Sequence, residues 1–115
     1  MQPALTEAWI PAEPDVMELE GRLDTSTAPA VEEDARLCIQ SGARRMVLDC
    51  RNLFFISGIG LQTILTLAHA MQKAGGRLIL CNLQPQVREM VDASGLEDFV
   101  PVYEGQSDAF LALTG

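Results

Sequence analysis

A chain of 115 residues is one ordinary domain, and with 48% apolar residues it is too hydrophobic to stay disordered and long enough to bury a core without disulfide staples. Its net charge of −8 and pI near 4.4 oppose a phosphate backbone and an anionic bilayer, and Arg44, Arg45 and Arg77 form no basic stripe, so nucleic-acid binding is not expected. No apolar run approaches a bilayer-spanning length, and the segment from Met1 to Glu7 lacks the basic start and apolar stretch of a secretory signal, which predicts a cytoplasmic address without direct membrane insertion.

Residues 6–10 and 15–20 read as strands, with Pro11 and Pro14 in the turn between them. In the second strand Val16 and Glu18 face one way, Met17 and Leu19 the other. Gly21 to Asp24 leads into Thr25, Ser26 and Thr27, a cluster of helix N-cap residues, with Pro29 suited to a first turn. Ala28, Val31, Ala35 and Cys38 recur at helical spacing, and Glu32, Glu33 and Asp34 favour the positive end of that helix. Ser41 and Gly42 end it.

Met46 to Cys50 is a short apolar run suited to a central strand, and residues 52–56 continue towards a turn at 57–60. A second helix follows, with Leu61, Ile64, Leu65, Ala68 and Met71 on one face and Gln62, Thr66, His69 and Lys73 on the other. Gly75 and Gly76 close it, and Leu78 to Cys81 is another buried-type strand. Pro85 opens a third helix with Val87, Met90 and Val91 inward; Gly95 caps it, with Leu96 placed for the apolar contact that follows such a cap. Residues 99–103 read as a last strand, and Ser107 suits the cap of a terminal helix carrying Phe110, Leu111 and Leu113. The order β-β-α-β-α-β-α-β-α predicts one α/β domain over residues 1–115, its sheet joined by parallel crossovers and covered by helices.

Chemistry-bearing residues are sparse. Cys38, Cys50 and Cys81 form no C-x-x-C pair and lie in apolar segments, so they read as buried structural thiols. His69 is the only histidine, on a predicted polar face, and builds neither a metal site nor a catalytic triad. Asp49, at a strand end, suits structural hydrogen bonds, and nothing aims it and Asp24 at a common substrate. No catalytic residue, metal ligand or cofactor is expected. The informative segment is the strand-to-helix junction at Ser57, Gly58, Ile59 and Gly60, where a helix start offers free N–H groups and glycines allow close approach. Those glycines also serve a plain tight turn. A dinucleotide fingerprint fails, because its third glycine falls on Thr63.

The run from Leu48 to Gln62 resembles the signature of STAS domains, which include the bacterial anti-sigma factor antagonists. The resemblance continues through Gly75 to Leu80, Gln84 to Met90 and Ser94 to Leu96, and the earlier Leu19 to Asp24 also fits. It covers the chain from about residue 6 to its end, four motifs in order. It implies a STAS fold, a mixed central sheet of about five strands with four helices. It also implies partner switching: the antagonist binds an anti-sigma factor, often a serine/threonine kinase of the histidine-kinase-like ATPase type, and phosphorylation of a serine at the start of the second helix breaks the complex. Asp24, Ser57, Gly58, Ile59, Gly60 and Gln62 are the partner-binding residues so implied, with Leu61 core; Asp24 equally suits a turn before a helix. The family reads D-S-S/T-G or S-S-A-G at the switch. Matching Gly60 to the final glycine puts Gly58, which has no hydroxyl, at the acceptor position, Ser57 before it and Ile59 after it. Either the usual phosphorylation is lost, the favoured reading, or Ser57 substitutes one residue early. The alternative role is an accessory subunit of an ATP-binding-cassette lipid transport system, where STAS domains act without phosphorylation.

Overall fold

Alternating side chains build the sheet in the computed structural model, which describes residues 14–114. Strands β1 (Asp15–Leu23), β2 (Arg45–Ile56), β3 (Arg77–Cys81) and β4 (Val102–Tyr103) lie side by side in that order. Helices α1 (Ala28–Gln40), α2 (Gly58–Lys73), α3 (Pro85–Ser94) and α4 (Gln106–Thr114) alternate with them, and a 3-10 turn spans Leu96–Asp98. The α/β class and its four helices match the sequence expectation. Among the described residues the sheet has four strands, all paired in parallel. The other expected strand, at residues 6–10, lies outside the described residues.

The two faces of the sheet differ in cover. Met46, Leu48 and Cys50 of β2 and Leu78 and Leu80 of β3 join the main core with Ala28 and Ala35 of α1, Ile64, Leu67 and Met71 of α2, and Val87 and Val91 of α3. The intervening residues Val47, Ile79 and Cys81 face the other way and pack with Ala109 of α4. Helix α4 contacts β2, β3 and β4, and Val16 and Glu18 on the corresponding side of β1 are exposed.

β1 and β2 run further than periodicity suggests, through Leu23 and Ile56. Glu18 pairs with Asp49 but Glu20 with Asn52; Gly21 pairs with Leu53 but Arg22 with Phe55. Each shift absorbs an extra β2 residue as a bulge, and Gly21, at φ 69°, supplies the backbone at the second. The shifts turn Leu53 and Ile56 into the core and Phe54 and Phe55 outward.

Other expectations shift locally. Met90 is exposed, because Val87 and Val91, one turn apart, already occupy the buried stripe of α3. The last strand shrinks to Val102–Tyr103: residues 96–98 form the 3-10 turn, Val100 is the buried anchor and Phe99 is exposed. On α4 the buried residue is Ala109, Leu111 faces solvent, and Ser107 lies inside the first turn. The first turn of α1 holds no acidic residue; its acids come later along the helix. On α2 the buried stripe also takes in Thr63 and Leu67, while Leu65 and Ala68 are half-buried.

Candidate functional site

Because the described strands are parallel, the loops leaving their carboxyl ends collect at one edge of the sheet, where such folds place binding sites. The end of β1 and the start of α2 meet there at one atom. The Leu23 carbonyl oxygen accepts the Ser57 backbone N–H at 3.0 Å and the Ser57 hydroxyl at 3.4 Å. A Cβ on Gly60 would stand 2.5 Å from that same oxygen and 2.8 Å from Ile56 Cγ1. The glycine lets the helix start sit directly on the end of the neighbouring strand.

Ser57 is the N-cap of α2, in extended conformation, and its hydroxyl oxygen accepts the Gly60 N–H at 3.2 Å. The half-buried hydroxyl is thus engaged on both sides. Gly58 is exposed, and a Cβ there would meet nothing within 4 Å. Ile59 is 48% exposed, and Gln62 is exposed one turn further on. Thr63 faces inward and its hydroxyl donates to the Ile59 carbonyl at 2.9 Å. Leu61 is buried, as the sequence suggests.

Asp24 organises the adjoining turn. Its Oδ1 accepts the Ser26 N–H at 3.0 Å and the Ser26 hydroxyl at 2.8 Å, and its Oδ2 accepts Arg22 Nε at 3.1 Å. The Thr27 hydroxyl donates to the Arg22 carbonyl at 2.7 Å and accepts the Asp24 N–H at 3.0 Å. The Ser26 hydroxyl first, then Arg22, hold the Asp24 carboxyl down to about 2. Arg22 also lies over the Phe55 ring, 4.1 Å from its centroid. Asp24 is therefore both a turn-former and a fixed negative charge on the edge that carries the start of α2.

Phe54 and Phe55, 54% and 41% exposed, are surface residues that sequence reasoning missed. The Gln86 side-chain amide donates to the Phe54 carbonyl at 3.2 Å, bringing α3 against this stretch of β2. The available signal was the spacing of Leu53 and Ile56: with both inside, the two phenylalanines between them face out.

Asp49 belongs elsewhere. It is buried within β2, where Oδ1 accepts the Arg51 N–H at 3.0 Å and Asn82 Nδ2 at 3.1 Å, and Oδ2 accepts Gln106 Nε2 at 2.7 Å. Burial, the largest influence, raises its carboxyl; the bonds from Gln106, Arg51 and Asn82 together outweigh it and leave the carboxyl below the ordinary value. Asp49 and Asp24 share no partner in these networks. Cys50 and Cys81 are buried and Cys38 half-buried; burial is the main cause that pushes the first two thiols up to about 12 and about 11. Among the described residues no three His, Cys, Asp or Glu side chains cluster to hold a metal, and no helix is long and apolar enough to cross a membrane.

A parallel sheet with an exposed helix start seated on its carboxyl edge defines an α/β domain with a candidate docking edge. The STAS domain pattern matches residues 10–109, and the chain belongs to the STAS domain family. It is 34% identical over 94 residues to the "Putative anti-sigma factor antagonist BtrV" of Bordetella bronchiseptica, covering 82% of this chain and 81% of that one. It is 30% identical over 99 residues to the anti-sigma F factor antagonist of Paenibacillus polymyxa, covering 85% of each. The crystal structure of an anti-sigma factor antagonist from Mycobacterium paratuberculosis superimposes with a TM-score of 0.79 at 24% identity, over 87% of this chain and 85% of that one.

Proposed function

We propose that this chain is a protein-binding module that captures an anti-sigma factor through the edge formed by Asp24, Ser57, Gly58, Ile59, Gly60 and Gln62, and so releases a sigma factor for transcription. The observation that carries the reading is the start of α2. It is fixed on the Leu23 carbonyl by Ser57 and Gly60, yet presents Gly58, Ile59 and Gln62 to solvent. A rigid frame with an outward apolar residue beside a fixed carboxylate suits protein recognition, since preorganised edges lose little entropy on binding. The names of two relatives, one at 34% and one at 30% identity, support an anti-sigma factor as the partner. Serine/threonine kinases of the histidine-kinase-like ATPase type are the first candidates, acting with this chain in the cytoplasm. Binding needs no cofactor and no chemistry by this chain.

Gly58 lacks the hydroxyl of the usual acceptor, so phosphorylation at that position does not release the partner. Calorimetry against each kinase-type anti-sigma factor of the source genome tests the reading. At least one is expected to bind the unmodified chain, and Ile59→Asp, which alters an exposed side chain, is expected to weaken that complex about tenfold or more without loss of fold. Absence of binding to every candidate, or unchanged affinity in the variant, contradicts it.

A further inference from the structure

Phe54 and Phe55 have no part in the anti-sigma reading, yet both are exposed just ahead of the start of α2. A regular strand with Leu53 inside would turn Phe55 inside and Ile56 outside. The register shift between Gly21 and Arg22 prevents this. It leaves Phe54 as the extra residue of β2, and the alternation restarts beyond it with Phe55 out and Ile56 in. Bulges of this kind re-aim side chains beside functional sites. Both phenylalanines are tied to what flanks them. Arg22, opposite Phe55 in the register, lies over its ring and also bonds Asp24 Oδ2 at 3.1 Å. The Gln86 amide holds the Phe54 carbonyl, and one turn further along α3 Met90 is exposed. Apolar side chains from β2, α2 and α3 thus collect at the same carboxyl end of the sheet, with Arg22 and Asp24 beside them.

We propose that Phe54 and Phe55 are specificity-determining residues of this edge, which enter an apolar recess on the anti-sigma factor; the inference rests on the anti-sigma reading above. Continuity commits the two rings to that partner. Arg22 shares its guanidinium between Phe55 and Asp24, so a body that docks on Asp24 meets Phe55 as well. Aromatic and arginine side chains concentrate at the energetic centre of interfaces, with polar groups around them. The rings are also set before a partner arrives. Leu53 and Ile56 on either side are buried, and the backbone between them is fixed by the pairing with β1, so docking orders little. Asp24 already neutralises Arg22, and the stacked guanidinium brings no unpaired charge into the contact. Selection among anti-sigma factors follows. A face with an apolar recess accepts the two rings, whereas a face with a charged side chain there would leave that charge desolvated and unpaired.

Calorimetry at several temperatures tests this with the full chain and the anti-sigma factor that binds it. Phe54→Ser and Phe55→Ser are each expected to lower affinity tenfold or more. Each is also expected to make the heat-capacity change of binding less negative, because less apolar surface leaves water. Phe54→Leu, which stays apolar, is expected to keep more affinity than Phe54→Ser. Urea midpoints of the serine variants are expected to match the parent, since both side chains are exposed. Unchanged affinity in both serine variants overturns the proposal. Affinity lost with an unchanged heat-capacity change also overturns it, because the rings then act on the fold and not on the partner. Sedimentation of the parent alone covers the other occupant: a dimer that Phe54→Ser disperses gives the rings to a second copy of the chain and overturns the proposal. If the parent binds none of the anti-sigma factors, the docking reading fails and this inference with it. Binding that Ile59→Asp weakens and both serine variants leave intact removes the role of the phenylalanines alone.

Discussion

A Cβ at Gly60 would press on the Leu23 carbonyl, on Ile56 and on the Leu23 side chain, whereas one at Gly58, two residues earlier, would stand in open space. The obstacle at Gly60 is the end of the neighbouring strand, not helical crowding within α2. Gly60→Ala is therefore expected to cost about 1–3 kcal/mol, the usual range for overpacking a fixed site, with Gly60→Val at least as damaging. Gly58→Ser is expected to stay within about 0.5 kcal/mol of the parent. Urea unfolding of the three variants checks the contrast; an unchanged midpoint for Gly60→Ala contradicts the contact.

Asp24 makes a second residue-scale prediction. Its carboxyl is lowered from 3.8 to about 2 by the Ser26 hydroxyl and Arg22. A depressed carboxyl stabilises the fold fully above its unfolded value, and that contribution fades as pH falls from 3.8 towards about 2. An NMR titration of the Asp24 carboxyl is expected to show a midpoint near the lower value. In Ser26→Ala the midpoint moves upward, because the largest cause of the shift is gone.

Among elements, α4 packs on the sheet through Ala109, Phe110 and Leu113, and polar bonds tie it down as well, one of them from Arg77 Nη1 of β3 to the Ala112 carbonyl at 3.4 Å. Asp49 joins β2 to Asn82, just past β3, and to Gln106, the first residue of α4. Asn82 sits at φ 58°, a conformation asparagine tolerates, with its side chain fixed on the same carboxylate. Asp49→Ala leaves the half-buried Asn82 and Gln106 amides and the Arg51 N–H without that acceptor and is expected to cost about 1–3 kcal/mol, since hydrogen bonds to a charged, buried carboxylate are lost. Thermal unfolding measures the loss, and hydrogen exchange in α4 is expected to rise more than in α2. Equal rises in both helices would show that the Asp49 bonds do not act on α4.

At the scale of the whole molecule, the three thiols report on the two faces of the sheet. Cys50 lies in the main core, Cys81 under α4, and Cys38 is half-buried on α1. Burial keeps Cys50 and Cys81 protonated at neutral pH and out of reach. Alkylation of the native chain is expected to modify Cys38 first, Cys81 when α4 detaches and Cys50 only on global unfolding, an order read by peptide mass spectrometry. Cys50 reacting ahead of Cys81 would contradict this picture of the core.

Local signals settled much of this protein before any contact was known. Helical spacing placed Ala28 and Ala35, Leu61 and Ile64, and Val87 and Val91 inside, and Gly95 marked a real left-handed cap. These follow from period, capping chemistry and backbone freedom, which act over a few residues. Ser57 and Gly60 were legible as special, but the reason was not: it is the Leu23 carbonyl, 34 residues away from Ser57 along the chain. The outward turn of Phe54 and Phe55 depends on two bulges that exist only when β2 pairs with β1. The exposure of Met90, Phe99 and Leu111 depends on which helix covers which part of the sheet. A sequence states its own periodicity, whereas register, close approach and the burial of one element by another are properties of pairs of segments, decided only when distant parts of the chain meet.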